Sequence, residues 1–210
     1  MINQRDVLVA IISATLLLSG CLTPRSSIED LSAMNKETEV VIVGRIEIVP
    51  KIQKEDVSVK MALGTDELYR TFILRINEDI GEMTDYINDR DNMVVVKTEE
   101  DFYVTSSRNE PFSLYGGWFY TKVHGGSGAS RSTTLYHIIN GMKAEFPKNA
   151  GAVYLGTIRF KRDEFFNLKA IDFAQDDYAA AQKRFQKKFK TNMPLVKAKI
   201  SQAKVASSKK

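Results

Sequence analysis

Eight short segments with the residue pattern of β-strands follow one another between positions 39 and 173, and they constrain the fold more than any other feature. The clearest segment, 40–49, is rich in Val and Ile and places Ile42, Ile46 and Ile48 on one face. Such residues, alternating with polar ones, are typical of a strand with one side in a hydrophobic core. The predicted strands are 39–49, 70–76, 93–97, 102–105, 112–123, 133–139, 152–161 and 165–173.

The density of these strands predicts a mainly β protein, an antiparallel β-sandwich of about 7–8 strands with one C-terminal amphipathic helix. Hydrophobic residues make up 43% of the 210 residues, an ordinary fraction for a chain with one core. The segments 93–97 and 102–105 flank a polar stretch, Glu99-Glu100-Asp101, and this arrangement predicts a hairpin. The domain, including its helix, is expected to span 38–192.

The helix is expected to begin near Asp176, which is a good N-cap residue type, and to end near position 190. Tyr178, Ala181, Phe185 and Phe189 fall on one stripe of this helix, as expected for a surface helix that packs on a sheet. Residues 193–210 contain few apolar side chains and are expected to form a mobile basic tail.

The N-terminus carries an apolar run, 7–18, which is too short to cross a bilayer but has the length of the apolar part of a secretory signal. The run ends in Leu18-Ser19-Gly20-Cys21, which resembles the lipobox of bacterial lipoproteins. The resemblance implies a signal peptide at 1–20, cleavage before Cys21, and lipidation of the Cys21 sulfur with diacylglycerol, with palmitate as an acyl group.

Residues 21–37 are expected to be the lipidated N-terminus and a polar tether, which at about 3.3–3.6 Å per residue would reach roughly 50 Å. In the lipoprotein sorting pattern, an Asp directly after the cysteine favours the inner membrane. Leu22 stands at that position, so the resemblance implies a lipid anchor in the outer membrane, facing the periplasm or the cell surface.

Composition and compartment together exclude several function classes. The sequence lacks the glycine-rich phosphate-binding motifs, and an exported domain is not expected to bind nucleic acid despite a net charge of +4. One cysteine and two histidines leave no recognisable metal site. We therefore expect no catalytic residues, no cofactor and no metal.

The positive charge is concentrated at the C-terminus, where no acidic residue follows Asp177. Its helical part has two interpretations: a solvated face of an ordinary helix, or a contact surface for anionic lipid headgroups, lipopolysaccharide or peptidoglycan. The residues concerned are Lys183, Arg184, Lys187, Lys188 and Lys190.

The densest aromatic cluster is Gly116-Gly117-Trp118-Phe119-Tyr120. In a strand, Trp118 and Tyr120 point to one face and Phe119 to the other. The cluster is either an ordinary core strand or a platform on which Trp118 and Tyr120 bind a partner.

These observations favour a lipid-anchored cell-envelope protein whose β domain binds or scaffolds another envelope component without catalysis. The alternative is an envelope hydrolase acting on peptidoglycan or lipid, which would need polar groups converging from among His124, Ser127, His137 and carboxylates such as Asp101 and Glu110. Over 38–190, a strand such as 153–158 followed by an Asp-Asp-Tyr helix is loosely similar to uncharacterised envelope lipoproteins, a resemblance that brings no catalytic residues.

Overall fold

A computed structural model describes residues 25–56, 68–76, 92–122 and 131–201. These residues form eleven strands, one α-helix and two 3-10 turns (Lys54–Asp56 and Leu68–Arg70). The strands are β1 (Arg25–Ser26), β2 (Glu39–Val49), β3 (Thr71–Ile76), β4 (Met93–Lys97), β5 (Asp101–Ser107), β6 (Phe112–Lys122), β7 (Arg131–Glu145), β8 (Ala152–Arg162), β9 (Leu168–Ala174), β10 (Leu195–Lys197) and β11 (Lys199–Ile200). The helix is α1 (Tyr178–Phe189).

The strands form two sheets that pack face to face, which confirms the predicted β-sandwich. The six-stranded sheet has the order β1-β4-β3-β6-β7-β11, and the five-stranded sheet has the order β10-β8-β2-β5, with β9 also paired to β8. Most neighbours are antiparallel, but β2 and β8 in the middle of the five-stranded sheet run parallel, as do the short pairs β1–β4 and β10–β8.

All eight predicted strands are present. The alternating residue pattern of each segment matches the alternation of its side chains between the two faces of a sheet. In β2, Val40 and Ile42 belong to the cluster between the sheets, which we call the inner core. Val41 and Val43 point the other way, into a second cluster on the outside of the five-stranded sheet, which we call the outer layer. The inner core also contains the aromatic side chains Phe72, Phe102, Phe112, Phe119, Tyr136 and Phe160.

The predicted hairpin of β4 and β5 is wrong. β4 pairs with β3 in one sheet, whereas β5 pairs with β2 in the other. The chain crosses between the sheets at Glu99, whose φ of 67° gives a left-handed bend and whose N–H donates to the Ile46 carbonyl at 2.7 Å. The polar turn between β4 and β5 is therefore a crossover from one sheet to the other. A hairpin turn and such a crossover have the same residue pattern.

A bulge at Gly156 allows one edge of β8 to serve two partners. Before the bulge β8 pairs with β10, and after it with β9. Gly156 has a φ of 106°, and a Cβ there would lie 2.2 Å from the Ala174 carbonyl oxygen, so a side chain does not fit.

The expected tether is wrong for the part that the structure describes, because residues 25–37 pack on the body. Arg25 and Ser26 pair with β4, and the Ile28 N–H donates to the Tyr103 carbonyl at 2.8 Å. Met34 is buried in the outer layer, and Leu31 packs against it. We call residues 25–37 the N-terminal segment.

The mobile tail is likewise wrong for residues 195–201. Leu195, 2% exposed, lies in the outer layer, and Ala198, 6% exposed, lies in the inner core. β10 joins the five-stranded sheet and β11 joins the six-stranded sheet, so this short segment connects the two.

The N-cap of the helix lies one residue later than predicted. Asp177 occupies the N-cap position, and its carboxylate makes no hydrogen bond to the helix backbone. Lys190 ends the helix in the left-handed conformation. Ala181 and Phe185 are its buried residues, which confirms the predicted apolar stripe.

Candidate functional site

The basic residues of α1 divide into two groups. Lys183, Lys187 and Lys190 follow one another at helical spacing and are exposed. They lie on the side of α1 opposite Ala181 and Phe185, which face the sheet. We call these three residues the lysine face, and among the described residues no carboxylate forms an ion pair with any of them.

Arg184 does not belong to this surface, which corrects one member of the predicted anionic contact. Its guanidinium bonds both Asp101 and Asp177, the latter at 2.9 Å from Nη2. Arg45 reaches the same Asp101 from β2 at 2.8 Å. The Asp101 side chain is 5% exposed, so Arg184 holds the helix to the sheet through a nearly buried carboxylate.

Two tyrosines complete this ionic cluster. The hydroxyl of Tyr154 donates to Asp177, and the hydroxyl of Tyr103 lies 3.5 Å from Asp101. Burial raises the pKa of both phenols, and the neighbouring carboxylates raise it further. The hydrogen bonds from Tyr154 and Arg184 outweigh the effect of burial on Asp177 and hold the pKa of its carboxyl below the usual range. The Asp177 carboxylate and the Arg184 guanidinium, whose pKa Asp101 and Asp177 raise, therefore remain a charged pair at neutral pH.

Lys188, another predicted contact residue, pairs with the N-terminal segment. Its Nζ lies 2.7 Å from Glu29 and 5.4 Å from the centre of the Tyr103 ring. The same ring packs edge-on against Phe189 at 5.0 Å. The C-terminal turn of α1 and the start of the described chain are thus neighbours.

Hydrogen bonds to the backbone of Tyr103 hold the N-terminal segment in this position. The Ser27 hydroxyl accepts a hydrogen bond from the Tyr103 N–H at 2.9 Å and lies 3.2 Å from the Tyr103 carbonyl. Cys21 lies outside the described residues. Only Leu22, Thr23 and Pro24 separate it from Arg25, and four residue steps span at most about 14 Å.

The aromatic cluster on β6 is divided between the two faces of its sheet, as the alternation predicts. Phe119 is buried in the inner core. Trp118 pairs with Ile73 on one side and Leu135 on the other, so the three form a row on the outside of the six-stranded sheet. Leu135 is 39% exposed and Trp118 is half-buried. The side chain of Tyr120 lies outside the described part of the structure.

A groove of about 780 Å³ lies beside β9, but its polar groups already have partners. Arg159 bonds Glu47 at 2.7 Å, and the amide of Gln175 donates to the carbonyls of Leu155 and Ala198. The lining residues are Arg159, Ile171, Asp172, Phe173, Ala174, Gln175, Ala198 and Ile200. Of the predicted hydrolase residues that the structure describes, His137, Asp101 and Glu110, none lines it.

The described residues do not bring the hydrolase candidates together. His124 and Ser127 lie outside them. Burial and the charge of Arg75 lower the pKa of His137, whose Nδ1 is buried without a hydrogen-bond partner. Asp101 begins β5 and Glu110 follows its far end, about 20 Å or more along the strand direction. Glycosidase carboxylates lie about 5–10 Å apart.

The same described ranges contain neither a group of metal-ligating side chains nor a membrane-spanning helix. There, no three His, Cys, Asp or Glu side chains are grouped as metal ligands. The only helix there, α1, is neither long enough nor apolar enough to cross a bilayer.

The ionic cluster and the packed N-terminal segment were not predicted. The alternation of β2 places Arg45 on the face opposite Ile42, Ile46 and Ile48, and Asp101 belongs to a polar stretch typical of a turn, but neither pattern indicates which carboxylate a given arginine reaches. The spacing of Ile28, Leu31 and Met34 was the available signal for packing of the N-terminal segment, and it is short against a polar background.

Comparisons of the chain with protein-family models, with curated proteins and with solved structures found no match, so its fold and site stand on the residues described above.

Proposed function

We propose that this chain is a lipid-anchored protein of the bacterial cell envelope, cleaved before Cys21 and acylated there, with its anchor in the outer membrane. Its β domain binds or scaffolds another envelope component and performs no catalysis. The membrane is one partner, through the anchor. The second partner is peptidoglycan, lipopolysaccharide or another envelope protein, and the domain requires no cofactor.

The observation that carries this proposal is the position of Arg25. It is already paired in the six-stranded sheet only four residues after the lipobox cysteine. A lipid on Cys21 would therefore hold the first strand of the folded body within about 14 Å of the acylated residue instead of on a tether of roughly 50 Å. A domain held so close to the bilayer suits a scaffold at the membrane surface.

The non-catalytic interpretation is supported by the ionic cluster. Its charges pair with one another beneath α1. Asp101 accepts bonds from two arginines and is 5% exposed, so it has no free lone pair directed at a substrate. Groups arranged in this way stabilise a layer of the fold, whereas a hydrolase needs them at an open pocket.

Partner binding is assigned to the outside of the six-stranded sheet. In the row of Ile73, Trp118 and Leu135, the apolar area open to a partner comes from Leu135, which is exposed, and from half-buried Trp118, whereas Ile73 is buried. Aromatic side chains with partly exposed rings supply much of the energy in protein interfaces. This role corresponds to the second of the two interpretations of the aromatic cluster, in which Trp118 is a contact residue.

Replacement of the acylated cysteine tests the proposal. Cys21→Ser should abolish incorporation of a clickable fatty acid in growing cells and leave the protein as uncleaved precursor or in the soluble envelope fraction. Ser19→Ala keeps a small residue before the cleavage point and is the matched control, which should retain full label. Undiminished labelling of the Cys21→Ser variant would refute the lipoprotein assignment.

A further inference from the structure

We propose that the lysine face of α1 (Lys183, Lys187 and Lys190) binds the anionic phospholipid headgroups of the membrane in which Cys21 is anchored. This inference rests on the proposed function, because it needs the acyl anchor. It adds an orientation: α1 lies along the bilayer surface, and the outside of the six-stranded sheet faces away from it.

The folded body cannot move far from its anchor. Ser26 pairs with Val95, and Ser27 and Ile28 bond the backbone of Tyr103. Only three residues stand between Cys21 and Arg25, the first residue of β1. A lipid on Cys21 fixes this corner of the molecule at the membrane.

The corner of the molecule formed by the N-terminal segment also contains the C-terminal end of α1. Tyr103 contacts Ser27 on one side and packs against Phe189 on the other. Glu29 and Lys188 pair at 2.7 Å across the same junction. The anchor and the last turn of the helix therefore reach the bilayer together.

The exposed side of α1 is positively charged. The lysine face projects away from the five-stranded sheet, and α1 contains no acidic residue. Each lysine near an anionic bilayer contributes about 1 kcal/mol, which is roughly a fivefold change in an equilibrium constant. Lys183 and Lys187 are held on one side of the helix and Lys190 caps its end, so the three add these contributions without ordering a flexible segment.

The other basic residues of α1 do not take part, because ion pairs hold them to the rest of the fold. Arg184 is held by Asp101 and Asp177, and Lys188 by Glu29. These pairs fix the rotation of α1 about its axis. Ala181 and Phe185 then face the sheet, and the lysine face is turned outward.

The experiment measures the rate at which an amine-reactive reagent modifies each lysine in the acylated full chain. The protein is reconstituted in vesicles of phosphatidylcholine alone, or of phosphatidylcholine with phosphatidylglycerol, and analysed by mass spectrometry. Both vesicles bring the anchor equally close, so the difference between them isolates headgroup charge. Lys199 is the control, because it is exposed on β11, at the edge of the six-stranded sheet opposite β1.

We expect modification of the lysine face to slow by about fivefold per residue in the anionic vesicles, with no change at Lys199. Raising the salt concentration should remove the effect, because exposed charges are screened within about 8–10 Å at physiological ionic strength. Equal rates in the two vesicles would overturn the inference and leave the proposed function intact. Protection that appears only on addition of peptidoglycan sacculi would overturn it as well.

The same spectra report the mass of the N-terminal peptide. An acyl group on Cys21 without charge-dependent protection refutes the orientation alone. An N-terminal peptide without an acyl group refutes the proposed function, and the orientation with it.

Discussion

The two faces of the five-stranded sheet are built in different ways. The inner core is apolar, and its members come from strands whose successive side chains alternate regularly between the two faces of a sheet. The outer layer combines the N-terminal segment, α1 and β10, and beside its apolar side chains it contains the ionic cluster of two arginines and two aspartates. Regular alternation is sufficient for the first face, whereas the second depends on specific charge pairs between distant parts of the chain.

The largest expected effects come from removing one fully buried phenylalanine from each face. Phe160→Ala should lower the unfolding free energy of the inner core, and Phe185→Ala that of the outer layer, by about 3–5 kcal/mol each. We expect Phe160→Ala to lower the protection of amides in both sheets, and Phe185→Ala to open α1 while the six-stranded sheet stays protected. Hydrogen exchange measured by mass spectrometry distinguishes the two.

Phe165→Ala is the control for this pair, since Phe165 is 75% exposed and its loss should change stability by less than about 0.5 kcal/mol. Identical loss of protection throughout the molecule for both core variants would show that the inner core and the outer layer unfold as one unit.

A smaller effect is expected from removing residues 195–210. Leu195 contributes to the outer layer and Ala198 to the inner core, so the truncation should destabilise both, by about 2–4 kcal/mol in total. A second truncation, lacking only 202–210, retains β10 and β11. Urea unfolding of the two truncated chains compares them directly, and equal midpoints would mean that these strands add no stability.

The smallest effect concerns acid. The pKa of Asp177 is lower in the folded protein than the about 3.9 of an unfolded Asp, so the carboxylate stabilises the fold above about pH 4. That contribution is lost as the pH falls through the lowered folded value, because the unfolded chain then binds the proton more readily. We expect amide exchange in α1 to accelerate below about pH 4 before exchange in the inner core does.

Asp177→Asn should remove this acid sensitivity of α1. Asp163, whose pKa is also lowered, by Lys169 and Asn167, lies in the β8–β9 turn, so Asp163→Asn should leave the acid response of α1 unchanged. A response that disappears in both variants, or in neither, would contradict the assignment to Asp177.

The sequence predicts the inner core well for a physical reason. A strand with one side in the core must alternate, and Phe72, Leu74 and Ile76 in β3 show this directly. The crossover at Glu99 was predicted as a hairpin because a polar turn does not reveal which sheet its second strand joins. The pairing of Arg184 with Asp101 could not be predicted at all, since it depends on where α1 docks.

The packed chain ends were missed for a related reason. The N-terminal segment has only three well-spaced apolar residues, Ile28, Leu31 and Met34, and β10 and β11 together have only five strand residues. Segments this short are stabilised by surfaces that the rest of the chain provides. No local pattern distinguishes them from a tether or a tail.

The parallel pairing of β2 with β8 has a consequence for how fast the protein can fold. The Arg159–Glu47 ion pair across these strands joins positions 112 residues apart, and Lys188 and Glu29 are 159 residues apart. Such pairings require closure of long loops before any stabilising contact forms, so folding is slow compared with that of a helical protein of this length. During synthesis β2 must wait, unpaired on that side, until β8 has emerged. A chain with this topology therefore has a long interval in which it remains unfolded, the state in which a polypeptide can be threaded through a narrow pore.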